Sequence, residues 1–177
     1  LTLMHMSEAT GSNTYAAMAK RVYENAIMPR LKEDERGKWL PWNTDENAGP
    51  NACTEAPACL LSAKLYERYG DEKYLQNALM FFDFQTNNIC NKDGRVEEPP
   101  LTYTQGTFGE ACRRLYHITG EVKYKTAATL YIEYAFTSNR CTNGNNMLRD
   151  EGSSMDQSIF KAVLIPYAVK FGLDESM

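Results

Sequence analysis

The sequence predicts an all-α protein built from stacked helical hairpins, and three observations carry that reading. Apolar residues recur at helical spacing, as at Phe108, Ala111, Cys112, Leu115 and Tyr116, which lie at the i, i+3, i+4, i+7, i+8 positions of one helix face. A glycine closes that face at Gly120, where a left-handed C-terminal cap is free of steric cost. The pattern then repeats at about fifty residues: Leu65, Tyr66, Gly70, Lys73, Tyr74 and Ala78 match Leu115, Tyr116, Gly120, Lys123, Tyr124 and Ala128. Recurrence of helix pairs at a long period marks units that bury their apolar faces only by stacking on neighbours.

Taken in order, the first unit opens at Leu1 to Glu8, turns at Gly11 to Asn13, and continues as a helix from Thr14 to about Leu31. Met6, Gly11, Tyr15 and Ala19 keep the offsets of the later copies. A loop from Lys32 to Cys53 follows, with Thr54 as a candidate N-cap and Pro57 near the start of the next helix. Its charged run Lys32–Arg36 reads as a solvated turn. Leu60 to Tyr69 pairs with a helix from Glu72 to about Asn88 that Asp71 caps. A second loop, Ile89–Gln105, leads into the unit around Gly120, and a third, Thr137–Gln157, is crowded with Asn, Gly, Asp and Ser. The last helix, Ser158 to Phe171, is apolar almost all round and is expected to be buried, with a kink at Pro166. No stretch reads as a strand.

The chain is 177 residues long and carries a net charge of −4 with both signs interspersed, so no basic footprint points to nucleic acid. No apolar run approaches the ~20 residues that span a membrane. Five cysteines, at 53, 59, 90, 112 and 141, lack C-x2-C zinc spacing. Cys112 reads as a buried thiol, and a disulfide among the loop residues Cys53, Cys90 and Cys141 stays open. No metal or cofactor motif is visible. His5 and His117 fall in helical segments without a ligand-spaced partner. The whole of residues 1–177 reads as one domain segment, incomplete at both ends, since the chain starts inside a helix and its fourth unit stops soon after Gly172.

Short glycine turns and long loops alternate, so the three long loops are expected at one end of the helices, where a rigid scaffold commonly presents a site. Their contents suit a carbohydrate: aromatic rings stack on sugar faces, and amides and acids read hydroxyls. The candidates are Trp42, Asn51, Tyr103, Thr104, Gln105, Asp150 and Glu151 for binding, with Asp150, Glu151 and Asp156 as fallback acids. Each has a plainer role open to it. Trp42 could plug the end of the array, Asp156 could cap the last helix, Gln105 could cap its own, and Asp150 with Glu151 could be a solvated pair. Lys161, between Phe160 and Ala162, needs a carboxylate partner if it points inward.

Three stretches, Asn51–Leu75, Leu101–Tyr124 and Met147–Lys161, carry a family resemblance. In their order and spacing they resemble glycoside hydrolase family 76, the endo-α-1,6-mannanases and related enzymes. Thr102-Tyr103-Thr104-Gln105-Gly106 is similar to that family's Thr-Tyr-Asn-Gln-Gly segment, with Thr104 in place of its Asn. Met147–Lys161 is similar to its Glu…Asp…Phe-Lys segment. The resemblance implies about half of an (α/α)6 toroid and retaining hydrolysis of α-1,6-linked mannan by a pair of adjacent aspartates. No Asp-Asp pair stands in this chain, and the resemblance places it upstream of Leu1. It further implies a mannan or mannose-containing oligosaccharide as partner, a location outside the cytoplasm, and either a missing fragment or self-association to cover the open edges. Leu1, Leu3, Met4 and Met6 are expected at one such edge and Phe160, Val163, Leu164, Tyr167 and Phe171 at the other. A non-catalytic carbohydrate-binding module and a toroid sugar epimerase are the competing readings, the latter disfavoured because neither histidine lies in a loop.

Overall fold

The computed structural model describes residues 1–97, 101–145 and 147–177, and within the last helix the side chains of 156 and 158 are outside the description. Among the described residues there are seven α-helices: α1 (Thr2–Thr10), α2 (Asn13–Val22), α3 (Ala52–Tyr69), α4 (Glu72–Asn88), α5 (Tyr103–Thr119), α6 (Val122–Thr137) and α7 (Met155–Gly172). They fall into two compact units, Leu1–Asn88 and Ile89–Met177. None of the described helices is long and apolar enough to cross a membrane.

The predicted glycine caps are present. Gly11, Gly70 and Gly120 have φ of 69°, 67° and 73° and end α1, α3 and α5. In each case the glycine N–H returns to the carbonyl four residues back, 2.8 Å away. This left-handed cap closes the helix and reverses the chain into its partner.

In the first unit, Tyr23, Leu61, Leu65 and Tyr74 pack with Met4, Ala16 and Ala19, and Leu1 and Leu3 lie against them. Met4 is therefore buried rather than at an open edge, while Met6 is exposed. The buried Tyr23 hydroxyl lies 2.6 Å from Ser62 Oγ and accepts from Asn77 Nδ2 at 3.0 Å. In the second unit, Phe108, Ala111, Cys112 and Leu115 are buried as the spacing predicts. Phe108 meets Tyr131 of α6 with ring centroids 4.8 Å apart. Glycine permits closer approach here: a Cβ on Gly106 would lie 2.8 Å from Leu164 Cα of α7.

Several local expectations are corrected. The expected helix up to about Leu31 is present but not α throughout: α2 passes at Tyr23–Ile27 into a π-turn and at Met28–Arg30 into a 3-10 turn, where Pro29 has no N–H to continue the ladder. The run Lys32–Arg36 is not a plain solvated turn. It forms β1 (Lys32–Asp34), which pairs antiparallel with β2 (Gly37–Trp39), Lys32 opposite Trp39. Asp34 fastens this hairpin, accepting from Arg36 N at 2.9 Å and Trp39 Nε1 at 2.9 Å. Asn51, not Thr54, caps α3, its Oδ1 taking the Cys53 N–H at 2.9 Å. Ser154, not Asp156, caps α7, in a reciprocal capping box with Gln157. α7 is not buried all round: Leu164 and Tyr167 are buried, whereas Ile159, Val163, Ile165 and Val169 are exposed, since α5 covers only one face. Cys59 and Cys141 are buried free thiols.

Candidate functional site

In the first unit the start of α1, the end of the π-turn, the first loop and the start of α3 meet at one end, where Leu1, Ile27, Leu40, Cys53, Thr54 and Leu61 line a hollow of about 230 Å³. The glycine turns lie at the other end, tied together by Arg68 donating to Asn13 Oδ1. Beyond the β1–β2 hairpin the loop folds back on itself, Pro41 bridging to Pro50 and Trp42 N donating to Gly49 O at 3.0 Å. Trp42 stands on this fold, 55% exposed, beside a second hollow of about 180 Å³ lined by Ala26, Arg30, Leu40, Asn43 and Thr54. Trp39 is instead buried. The loop is held from below through Leu40: its N–H donates to Glu55 Oε1 at 2.6 Å, and its carbonyl accepts from Thr54 Oγ1 at 3.4 Å.

In the second unit both loops sit at the N-terminal end of α5. The second loop makes a small hairpin, Cys90 bridging to Val96. Gln105 clamps it from α5: Oε1 accepts from Val96 N at 2.5 Å, and Nε2 donates to the carbonyls of Gly94 and Tyr131, both at 2.8 Å. The third loop repeats the device with a Thr142–Leu148 bridge. Glu151 anchors it, Oε1 accepting from Thr102 N at 2.7 Å and Thr102 Oγ1 at 2.5 Å.

The predicted residues therefore divide by role. Thr104, Gln105 and Glu151 are buried, and the polar atoms described for them face the protein. In this structure their hydrogen bonds brace the loops. Asn51 is a helix cap. Tyr103 is half-buried and stacks on Phe160, centroids 4.7 Å apart. Asp150 points to solvent, its side chain 90% exposed and 3.7 Å from Lys161 Nζ. Lys161 also donates to Arg149 O at 3.0 Å, so it has the partners its setting requires. The side chain of Asp156 lies outside the described residues. Asp150 and Glu151, though consecutive, occupy opposite environments and do not form the facing carboxylate pair that glycoside hydrolysis uses.

Two acids that sequence reasoning passed over are deeply buried. Burial favours the neutral form of Glu110, but Arg113 and Arg114 outweigh it, at 2.8 Å each, and hold its carboxyl below the usual range. Arg113 also reaches Asp174 at 2.6 Å, and His117 lies 2.5 Å from the same oxygen, so this cluster ties the segment after α7 to α5. Among the described residues Glu55 has no such cations. Burial alone pushes it up to about 8, the Leu40 N–H opposing. Its signal in the sequence is the repeat, for it stands fifty positions before Gln105. Among the described residues no group of three His, Cys, Asp or Glu could hold a metal ion.

Residues 1–171 match the profile of Glycosyl hydrolase family 76. The chain belongs to that family. Several solved structures share its fold. A protein from Listeria innocua superposes with a TM-score of 0.88 at 24% identity, over 98% of this chain and 53% of its own. An inactive variant of the α-1,6-mannanase GH76A of Salegentibacter sp. HEL1_6, two consecutive aspartates replaced by alanine, was solved in complex with α-1,6-mannotetrose. It gives 0.86 at 22% identity over 99% of this chain and 55% of that one. A family 76 mannosidase of Bacteroides thetaiotaomicron gives 0.72 at 18% identity, over 96% and 51%. The chain thus spans about half the length of these structures, whose architecture is the (α/α) toroid of family 76. No curated protein matches it.

Proposed function

We propose that the protein to which this family 76 chain belongs is a retaining glycosidase acting on α-1,6-linked mannan, outside the cytoplasm, and that the loop ends of this chain contribute sugar-binding surface. Family membership and a neighbour solved with α-1,6-mannotetrose support the substrate class. The observation that carries the assignment to this chain is Trp42. Its indole is more than half exposed on a folded loop, beside a hollow bordered by Arg30, Asn43 and Thr54. An exposed indole with polar neighbours is the arrangement that stacks a sugar ring and reads its hydroxyls. In the second unit, Asp150 and the half-buried Tyr103 are the corresponding surface groups, with Gln105 and Glu151 as their scaffold.

Binding, rather than bond cleavage, is what this reading gives to the residues present. The chain has no consecutive aspartates, and without a nucleophile no glycosyl-enzyme intermediate forms. Titration of the chain with α-1,6-mannotetrose, monitored by tryptophan fluorescence, tests the assignment. Saturable quenching that is lost in Trp42→Ala is expected, with no release of shorter mannosides. Unchanged binding by Trp42→Ala removes Trp42 from the site. Turnover of mannan by the chain assigns the chemistry to acids within it.

A further inference from the structure

The two units hold their long loops by the same device at the same repeat position, but with different chemistry. Fifty positions separate Glu55 from Gln105, as they separate Leu65 from Leu115 and Gly70 from Gly120. Each side chain lies near the start of the first helix of its pair, is buried, and accepts a loop N–H through Oε1: Leu40 at 2.6 Å for Glu55, Val96 at 2.5 Å for Gln105. The second atom differs. Gln105 Nε2 donates to the carbonyls of Gly94 and Tyr131. Glu55 Oε2 is buried and has no hydrogen-bond partner among the described residues.

An ionised carboxylate has only acceptors, so it cannot reproduce an amide that donates to carbonyls. A neutral carboxylic acid keeps Oε1 as the acceptor for the Leu40 N–H and leaves an uncharged hydroxyl, not a charge, at the unpartnered Oε2. We propose that Glu55 is a positioning residue that replaces the amide of the second unit with a protonated acid, and so holds the first loop, with Trp42 two residues beyond Leu40, only while it keeps its proton. Its surroundings favour that state. The titratable group coupled to it is Cys59, one turn along α3, which Asp83 of α4 also influences, while the first loop offers the Leu40 N–H. No cation among the described residues offsets its charge, and burial raises its pKa to about 8. Ionisation leaves a buried, uncompensated charge, which is relieved by opening the loop to water. Leu40 also borders both hollows beside Trp42, so its release alters the surface offered to sugar.

The link to sugar rests on the Trp42 reading; the latch itself does not. Carboxyl-labelled glutamate in the full chain reports Glu55 directly by NMR, while amide and indole signals report Leu40 and Trp42. The expected result is a Glu55 carboxyl that titrates near pH 8, with Leu40 and Trp42 signals moving at the same midpoint. In Glu55→Gln, which restores the amide of the second unit, those two signals stay at their acid-side positions throughout. Affinity for α-1,6-mannotetrose then falls roughly three-fold or more between about pH 6 and 9 in the native chain and stays level in the variant. A Glu55 that titrates with ordinary carboxylates overturns the latch. So does an alkaline change at Leu40 and Trp42 that persists in Glu55→Gln. If the latch titrates as described but mannotetrose fails to bind, the sugar role of Trp42 is what falls.

Discussion

Replacing Gln105 by alanine separates a loop clamp from a sugar ligand. The side chain makes three buried hydrogen bonds, to Val96 N, Gly94 O and Tyr131 O. Tyr131 lies inside α6, where its carbonyl keeps a helical N–H. The other two groups belong to the small hairpin of the second loop and lose their partner outright. A buried polar group left unpaired costs ~1–3 kcal/mol. The removed atoms add a small cavity. The expected loss is about 3–5 kcal/mol, a large fraction of the 5–15 kcal/mol that holds a typical domain together. Urea unfolding followed by circular dichroism measures it. A stability change under ~1 kcal/mol, with loss of mannotetrose binding, would refute the clamp and return Gln105 to the sugar site.

Other outcomes follow from the same geometry. Gly106→Ala is expected to destabilise by roughly 2 kcal/mol or more despite the better helix propensity of alanine, because its Cβ would sit 2.8 Å from the Leu164 backbone; thermal unfolding of the variant checks it. Stability should fall as pH rises from about 4.5 to about 8. Over that window the unfolded chain has lost the Glu55 proton and the folded chain keeps it, so the stabilisation is full below the unfolded pKa and lost as pH passes the folded one, by up to about 5 kcal/mol. Unfolding midpoints across this range, flattened in Glu55→Gln, test the sign. Trp42→Ala should leave unfolding within ~0.5 kcal/mol of the parent, since the indole is more than half exposed; a large loss would make it a plug instead.

The helix pairs were legible because their causes are local. A 3.6-residue apolar period and a glycine at the C-terminal cap need no knowledge of the rest of the chain, and Gly11, Gly70 and Gly120 stand where the pattern puts them. The loops were located by the same logic, as what lies between the pairs. Their interiors were not legible. Gln105, Thr104 and Glu151 look in sequence like surface amides and acids, and only the backbone that folds over them makes them structural. The β1–β2 hairpin has three residues a side, too few for alternation to register. For Asn51 and Ser154, hydroxyl and amide neighbours compete for the same capping role, and loop geometry chooses among them. Glu55 was readable in principle, since the fifty-residue alignment sets it against Gln105. Its significance needed the burial that the alignment does not give.

The central claim, that the loop ends of this family 76 chain are a sugar-binding surface, is tested most directly by titrating 15N-labelled chain with α-1,6-mannotetrose and mapping the shifts. The account predicts saturable changes at the Trp42 indole and the backbone around Asn43, with further changes near Tyr103 and Asp150, while Gly11, Gly70 and Gly120 stay still. Shifts centred on those glycine turns, or none at saturating sugar, would contradict it.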